Sequence, residues 1–113
     1  MIKVYGIRNC DSVKRTLKFL DENSLKYEFF DFKEKTISCQ KINFWVEKVG
    51  IKKLFNTRST TYRNLKLKEL NLDDTEKIKW MCKENLLIKR AVLEYEDKVL
   101  VGFNKDEYMR SLL

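Results

Sequence analysis

The chain has no histidine, no proline and only three glycines among its 113 residues. Without histidine the commonest general acid–base side chain is missing, and so is half of the usual Cys/His zinc set. Chemistry is left to cysteine, lysine, arginine and the carboxylates. Cysteine is scarce as well: Cys10, Cys39 and Cys82 are an odd number, widely spaced, with no C-x-x-C pair. That pattern suggests neither a disulfide framework nor a metal site, and the three thiols are expected to be reduced and to act individually. No apolar run reaches the roughly 18 residues of a membrane helix, and the chain starts on strand-like sequence rather than a signal peptide, so a cytoplasmic, membrane-free protein is expected.

What is present suits a small globular fold. Apolar residues make up 43% and charged residues 36%, enough for a core under a well-solvated surface. A chain of this length supports one domain, 1–113, and a monomer is expected. The net charge of +7 comes from 24 basic and 17 acidic residues. They are interleaved, as in "LKLKELNLDDTEKIK", without a basic block, so direct nucleic-acid binding is disfavoured.

Hydrophobic periodicity orders the elements. Ile2, Val4 and Ile7 mark a first strand ending at Gly6, and Asp11 or Ser12 is placed to cap a helix carrying Val13, Leu17 and Leu20. "LKYEFFDF" (Leu25 to Phe32) reads as a second strand, parallel to the first. A helix follows from the Ser38 cap, with Ile42, Trp45, Val46 and Val49 on one stripe and Gly50 closing it, and "DDTEKIKWMCKENLL" reads as another. "NTRSTTYR" (Asn56 to Arg63) reads as a loop. "AVLEY" and "VLVGF" form a hairpin around Glu96-Asp97-Lys98, and "NKDEYMRSLL" supplies a last helix. The order is that of an α/β, thioredoxin-like four-stranded mixed sheet (1–32 and 88–113) with a helical insertion (33–87) between its second and third strands.

In that layout Cys10 falls at the carboxyl end of the first strand and the amino end of the first helix, in "YGIRNCDSVKR". Free backbone N–H groups and the helix dipole favour a thiolate there. Arg8 lies just before it and Lys14 one helical turn beyond, two cations that stabilise the same anion. Arg58, in the Asn56–Arg63 stretch, and Arg90, before the third strand, offer the planar forks that recognise oxyanions and carboxylates. The competing reading of Cys10 is a small buried hydrophobe.

The stretches "YGIRNCDSVKR", "LFNTRSTTYRNL", "LIKRAVLEYEDKVLVGF" and "NKDEY" together resemble, across nearly the whole chain, the arsenate-reductase-like (ArsC) family. That family also contains the Spx regulators and the YffB-type small proteins, and Cys10-Asp11-Ser12-Val13-Lys14 is most similar to the YffB type. The resemblance implies a cysteine nucleophile at Cys10, oxyanion-binding arginines at Arg58 and Arg90, and reduction completed by glutathione, or another low-molecular-weight thiol, with glutaredoxin. Four places depart from the pattern. Gly102-Phe103 stands near the place of a third arginine, and Ile7-Arg8-Asn9 replaces the His-Asn-Pro lead-in. Ala91 stands where the family has a cis-proline, and since a non-proline cis bond costs about 2.5 to 4 kcal/mol, either a trans bond with a shifted loop or a strained site is expected. Val13 occupies the place of the second cysteine of the Spx C-x-x-C. The leading expectation is a thiol oxidoreductase with no bound cofactor and no metal. The alternative is an Spx-like module that binds the RNA polymerase α subunit without catalysis.

Overall fold

A computed structural model describes all 113 residues, and the chain divides into two compact units, one of residues 1–35 and 90–113, the other of residues 36–89.

The first unit is built on β1 (Ile2–Gly6), α1 (Asp11–Glu22), β2 (Tyr27–Asp31), β3 (Val92–Tyr95), β4 (Lys98–Val101) and α6 (Lys105–Leu112). The sheet order is β2-β1-β3-β4. β1 runs parallel to β2 and antiparallel to β3, and β3 and β4 form an antiparallel hairpin, which is the thioredoxin-like arrangement. Period-2 alternation sorts the side chains onto two faces. Ile2, Val4, Leu93 and Leu100 form one core with Val13, Phe19 and Leu20 of α1 and Tyr108 and Leu112 of α6. Tyr5, Val92 and Glu94 belong to the opposite face, where the Tyr5 hydroxyl donates to Glu94 Oε1 at 2.8 Å and the Tyr5 ring stacks on Phe30.

Two local expectations need correction here. The second strand spans Tyr27–Asp31, shorter than the apolar stretch Leu25–Phe32. The N-cap of α1 is Cys10 itself, rather than Asp11 or Ser12. Cys10 holds extended backbone (φ −148°, ψ 126°) and its carbonyl accepts from the Lys14 N–H at 2.9 Å, so the helix starts one residue earlier than its polar side chains suggest.

The second unit comprises α2 (Cys39–Val49), α3 (Ile51–Leu54), α4 (Thr60–Asn64) and α5 (Asp74–Lys83), with 3-10 turns at Leu67–Leu70 and Asn85–Leu87. Ser38 caps α2, and Gly50 ends it at φ 86°, a left-handed conformation that suits glycine. Asp73 and Glu76 form a reciprocal capping box at the start of α5. Ile42, Trp45, Leu54, Met81, Leu87 and Ile88 are fully buried. The Asn56–Arg63 stretch, read as a loop, is half helical: Ser59 Oγ accepts from the Tyr62 N–H at 3.0 Å and starts α4. A hydroxyl-rich run hides a helix because the same hydroxyl that disfavours a helix interior serves as its cap.

The cysteine expectation is overturned in this unit. Cys39 and Cys82 are joined in a disulfide across 43 residues. Sequence spacing concealed the pair because Cys39 opens α2 and Cys82 lies in the last turn of α5, and packing of those two helices brings the Cα atoms to 5.0 Å. That separation is ordinary for a bridge.

Candidate functional site

Cys10 is the one free thiol. β1 carries the chain to Gly6, three residues bring it round, and α1 begins on Cys10, so the thiol stands at a strand-to-helix junction. It is partly buried and packs against the core beneath α1. The residue makes no side-chain capping hydrogen bond. The N2 and N3 positions, whose N–H groups an N-cap side chain would satisfy, are Ser12 and Val13. Lys14 is exposed on the first turn, four residues beyond Cys10 and so above it on the helix surface. Asp11 is the acidic residue of that turn and works against an anion at the same end.

Arg8 is exposed, and its guanidinium lies over the Phe29 ring of β2, 4.9 Å from the centroid. This cation–π contact holds Arg8 on the β2 side of the strand-to-helix turn.

Gly6 shows how closely the surrounding backbone is packed. A Cβ placed on it would stand 2.6 Å from Val13 Cγ2 and 3.8 Å from Arg90 Cβ. Only a residue without a side chain lets the end of β1 and the first turn of α1 meet this closely, whereas the distance to Arg90 is an ordinary van der Waals contact. Arg90 nonetheless lies beside the carboxyl end of β1, from which the chain runs on to Cys10. The Arg90–Ala91 bond is cis, so of the two outcomes open at Ala91 the shifted trans loop is not the one adopted. Ala91 is fully buried, and its carbonyl accepts from the Gly102 N–H at 2.8 Å. Val13, where the C-x-x-C second thiol would be, is also fully buried and belongs to the core.

Arg58 belongs to the helical unit. Its backbone N–H donates to Asn56 Oδ1 at 3.0 Å, and the Ser59 hydroxyl donates to the Asn56 carbonyl at 3.1 Å. These two bonds fix the turn on which the exposed Arg58 side chain is carried. The structure therefore groups Cys10, Arg8, Lys14 and Arg90 in one unit and puts Arg58 in the other. From sequence Gly6 was read only as the end of the first strand; the signal for its packing role was a glycine at a strand end facing the strand-to-helix turn.

The chain matches the family model described as "ArsC family" over residues 5–111. A Haemophilus influenzae protein of uncharacterised function is 37% identical over 96% of each chain. A solved structure titled YFFB (PA3664) protein superposes with a TM-score of 0.93 at 33% identity, covering 100% of both chains. The solution structure of an arsenate reductase (ArsC) related protein from Brucella melitensis follows at a TM-score of 0.76 and 29% identity, over 97% of this chain and 92% of that one. Among regulators, the global transcriptional regulator Spx of Enterococcus faecalis is 29% identical over 99% of this chain and 86% of its own.

Proposed function

The chain belongs to the ArsC family, and from that premise we propose that it is a thiol oxidoreductase in which Cys10 is the nucleophile. The observation that carries the reading is the free Cys10 thiol at the N-cap of α1, with Arg90 drawn up to the end of the preceding strand. The helix terminus and Lys14 stabilise the thiolate, and Arg8 adds positive charge on the β2 side. Arg90 receives the anionic part of the substrate, an oxyanion or a carboxylate, and Arg58 enters the reading by the family pattern alone.

Cys10 Sγ attacks the oxidised centre of the substrate, a disulfide sulfur or the central atom of an oxyanion. In the disulfide case the bond to the leaving sulfur breaks with its electron pair, giving a Cys10 mixed disulfide and a released thiolate. An external thiol such as glutathione then attacks that mixed disulfide and returns Cys10 as thiolate. The oxidising equivalents leave as the disulfide of the external thiol. With an oxyanion, one protonated oxygen leaves as water as the bond to Cys10 Sγ forms; the external thiolate then attacks Cys10 Sγ and the reduced oxyanion departs with the electron pair, leaving a mixed disulfide that a second thiol or glutaredoxin resolves. The resolving thiol is external in this reading because Cys39 and Cys82 are bonded to each other and Val13 replaces a neighbouring cysteine.

Two measurements test this. Alkylation of Cys10 by iodoacetamide near pH 7 is expected to be at least tenfold faster than that of an unfolded control peptide. Glutathione- and glutaredoxin-coupled turnover of a mixed-disulfide or arsenate substrate is expected to vanish in Cys10→Ser. Control-like alkylation together with no turnover on any donor would falsify the enzymatic reading.

A second reading, an Spx-like regulator that docks on the RNA polymerase α subunit, is favoured by the Spx relatives and by the distribution of charge. The helical unit holds twelve basic and six acidic residues, against twelve and eleven in the sheet unit.

A further inference from the structure

We propose that Cys39 and Cys82 form a second redox site, a surface disulfide that exchanges reversibly with low-molecular-weight thiols independently of Cys10. Three features of the helical unit point to it. The bond is reachable, because Cys39 is exposed and Cys82 only partly buried. A bridge kept purely as a staple gains from burial, which shields it from thiols in solution.

The second feature is that the bonded segments are already tied without it. The Ile37 N–H donates to Asn85 Oδ1 at 2.8 Å, and Asn85 Nδ2 donates to the Met81 carbonyl at 2.9 Å. Asn85 is buried, so this tie is sheltered from water. It lies two residues before Cys39 and three after Cys82, beside the disulfide. Beneath it Ile42 and Trp45 of α2 and Met81 of α5 are fully buried. Opening the S–S bond therefore leaves the two thiols side by side, placed to close again.

The third feature makes the exchange directional. Cys39 is the first residue of the eleven-residue α2, where free N–H groups and the dipole favour a thiolate. The better-stabilised thiolate is the better leaving group. An incoming thiolate attacks Cys82 Sγ, the S–S bond breaks, and Cys39 departs with the electron pair. A second thiol attacks the external sulfur of the resulting mixed disulfide and frees Cys82. Two external thiols are oxidised to one disulfide, and their two protons end on Cys39 and Cys82.

The test uses the full-length Cys10→Ser protein, so that every labelled thiol belongs to this pair. Maleimide labelling with intact-mass readout is expected to give no label after air oxidation. Under native conditions dithiothreitol should expose two, and glutathione disulfide should return the count to none, with a Cys39–Cys82 cross-linked peptide on digestion. The reduced protein is expected to keep a cooperative thermal transition, with its midpoint lowered on the order of 10 °C. The Cys39→Ser/Cys82→Ser pair is expected to keep the far-ultraviolet circular dichroism of the parent. A bond that opens only in denaturant, or a reduced chain that loses its cooperative transition and does not re-form the bridge, overturns the proposal.

Discussion

Tyr108 joins three segments of the sheet unit through one hydroxyl. Its proton goes to the Gly102 carbonyl at 2.7 Å, an acceptor that has nothing to donate. The 2.9 Å contact with Thr16 Oγ1 must then run from the threonine hydroxyl to the tyrosine oxygen. Both residues are fully buried, so the chain Thr16 to Tyr108 to Gly102 leaves no hydroxyl proton unused. Burial is the main reason the Tyr108 phenol is pushed up from 10.0 to about 12, with the nearby Glu107 carboxylate adding and the Thr16 hydrogen bond subtracting. Because the folded value lies above the unfolded one, the neutral phenol contributes stability in full below pH 10. That contribution, about 2 to 3 kcal/mol, is lost as pH rises from 10 to about 12. Tyr108→Phe is expected to cost about 1 to 3 kcal/mol at pH 7, since it strands the Gly102 carbonyl and the Thr16 hydroxyl. The gap to wild type should narrow as urea unfolding is repeated from pH 9 to 12, and a constant gap would contradict the assignment. In the sequence Tyr108 was legible as an apolar position of the last helix. Its partner was not, because Thr16 sits 92 residues away and nothing local marks a threonine within α1 as a donor.

At the scale of elements, the β1–α1 junction shows what periodicity reads well and what it misses. The stripe Val13, Leu17, Leu20 located α1, and Ile2 and Val4 located β1, because burial on one face repeats with the period of the element. The closeness of the two elements has no period. It depends on Gly6, whose missing Cβ leaves the space that Val13 Cγ2 fills. Gly6→Ala puts a methyl 2.6 Å from a buried β-branched side chain that has little room to turn, and is expected to cost about 1 to 3 kcal/mol. In a Val13→Ala background the clash is removed, so the same substitution should cost at least 1 kcal/mol less, read from a four-way cycle of denaturant melts. Additive costs would show that the junction yields elsewhere. The start of α1 was misplaced for a related reason: capping rules look for an oxygen, and here a cysteine without a capping bond occupies the position.

For the whole molecule, charge is partitioned by unit rather than by stretch. Read along the chain, lysines and acids interleave, and the +7 looks diluted. Sorted by unit, the helical unit carries a net +6 and the sheet unit +1. The sorting was not legible beforehand because the sheet unit is discontinuous, and its last 24 residues follow the basic segment in sequence. On the helical unit Arg63, Lys66 and Lys68 line one groove with Thr57, Tyr62 and Glu69. An acidic protein surface is the partner such a groove suits, and this decides how the regulatory reading is to be separated from the enzymatic one. Under the regulatory reading, purified RNA polymerase α subunit should retain the wild-type chain and Cys10→Ser equally. Binding should weaken several-fold between about 50 and 200 mM salt, since exposed charges are screened over roughly 7 to 14 Å in that range. Arg63→Glu/Lys68→Glu, at two exposed positions, should abolish retention while leaving Cys10 alkylation unchanged. Loss of retention in Cys10→Ser, or indifference to both salt and charge reversal, leaves the thiol chemistry of the sheet unit as the function and the basic groove as solvated surface.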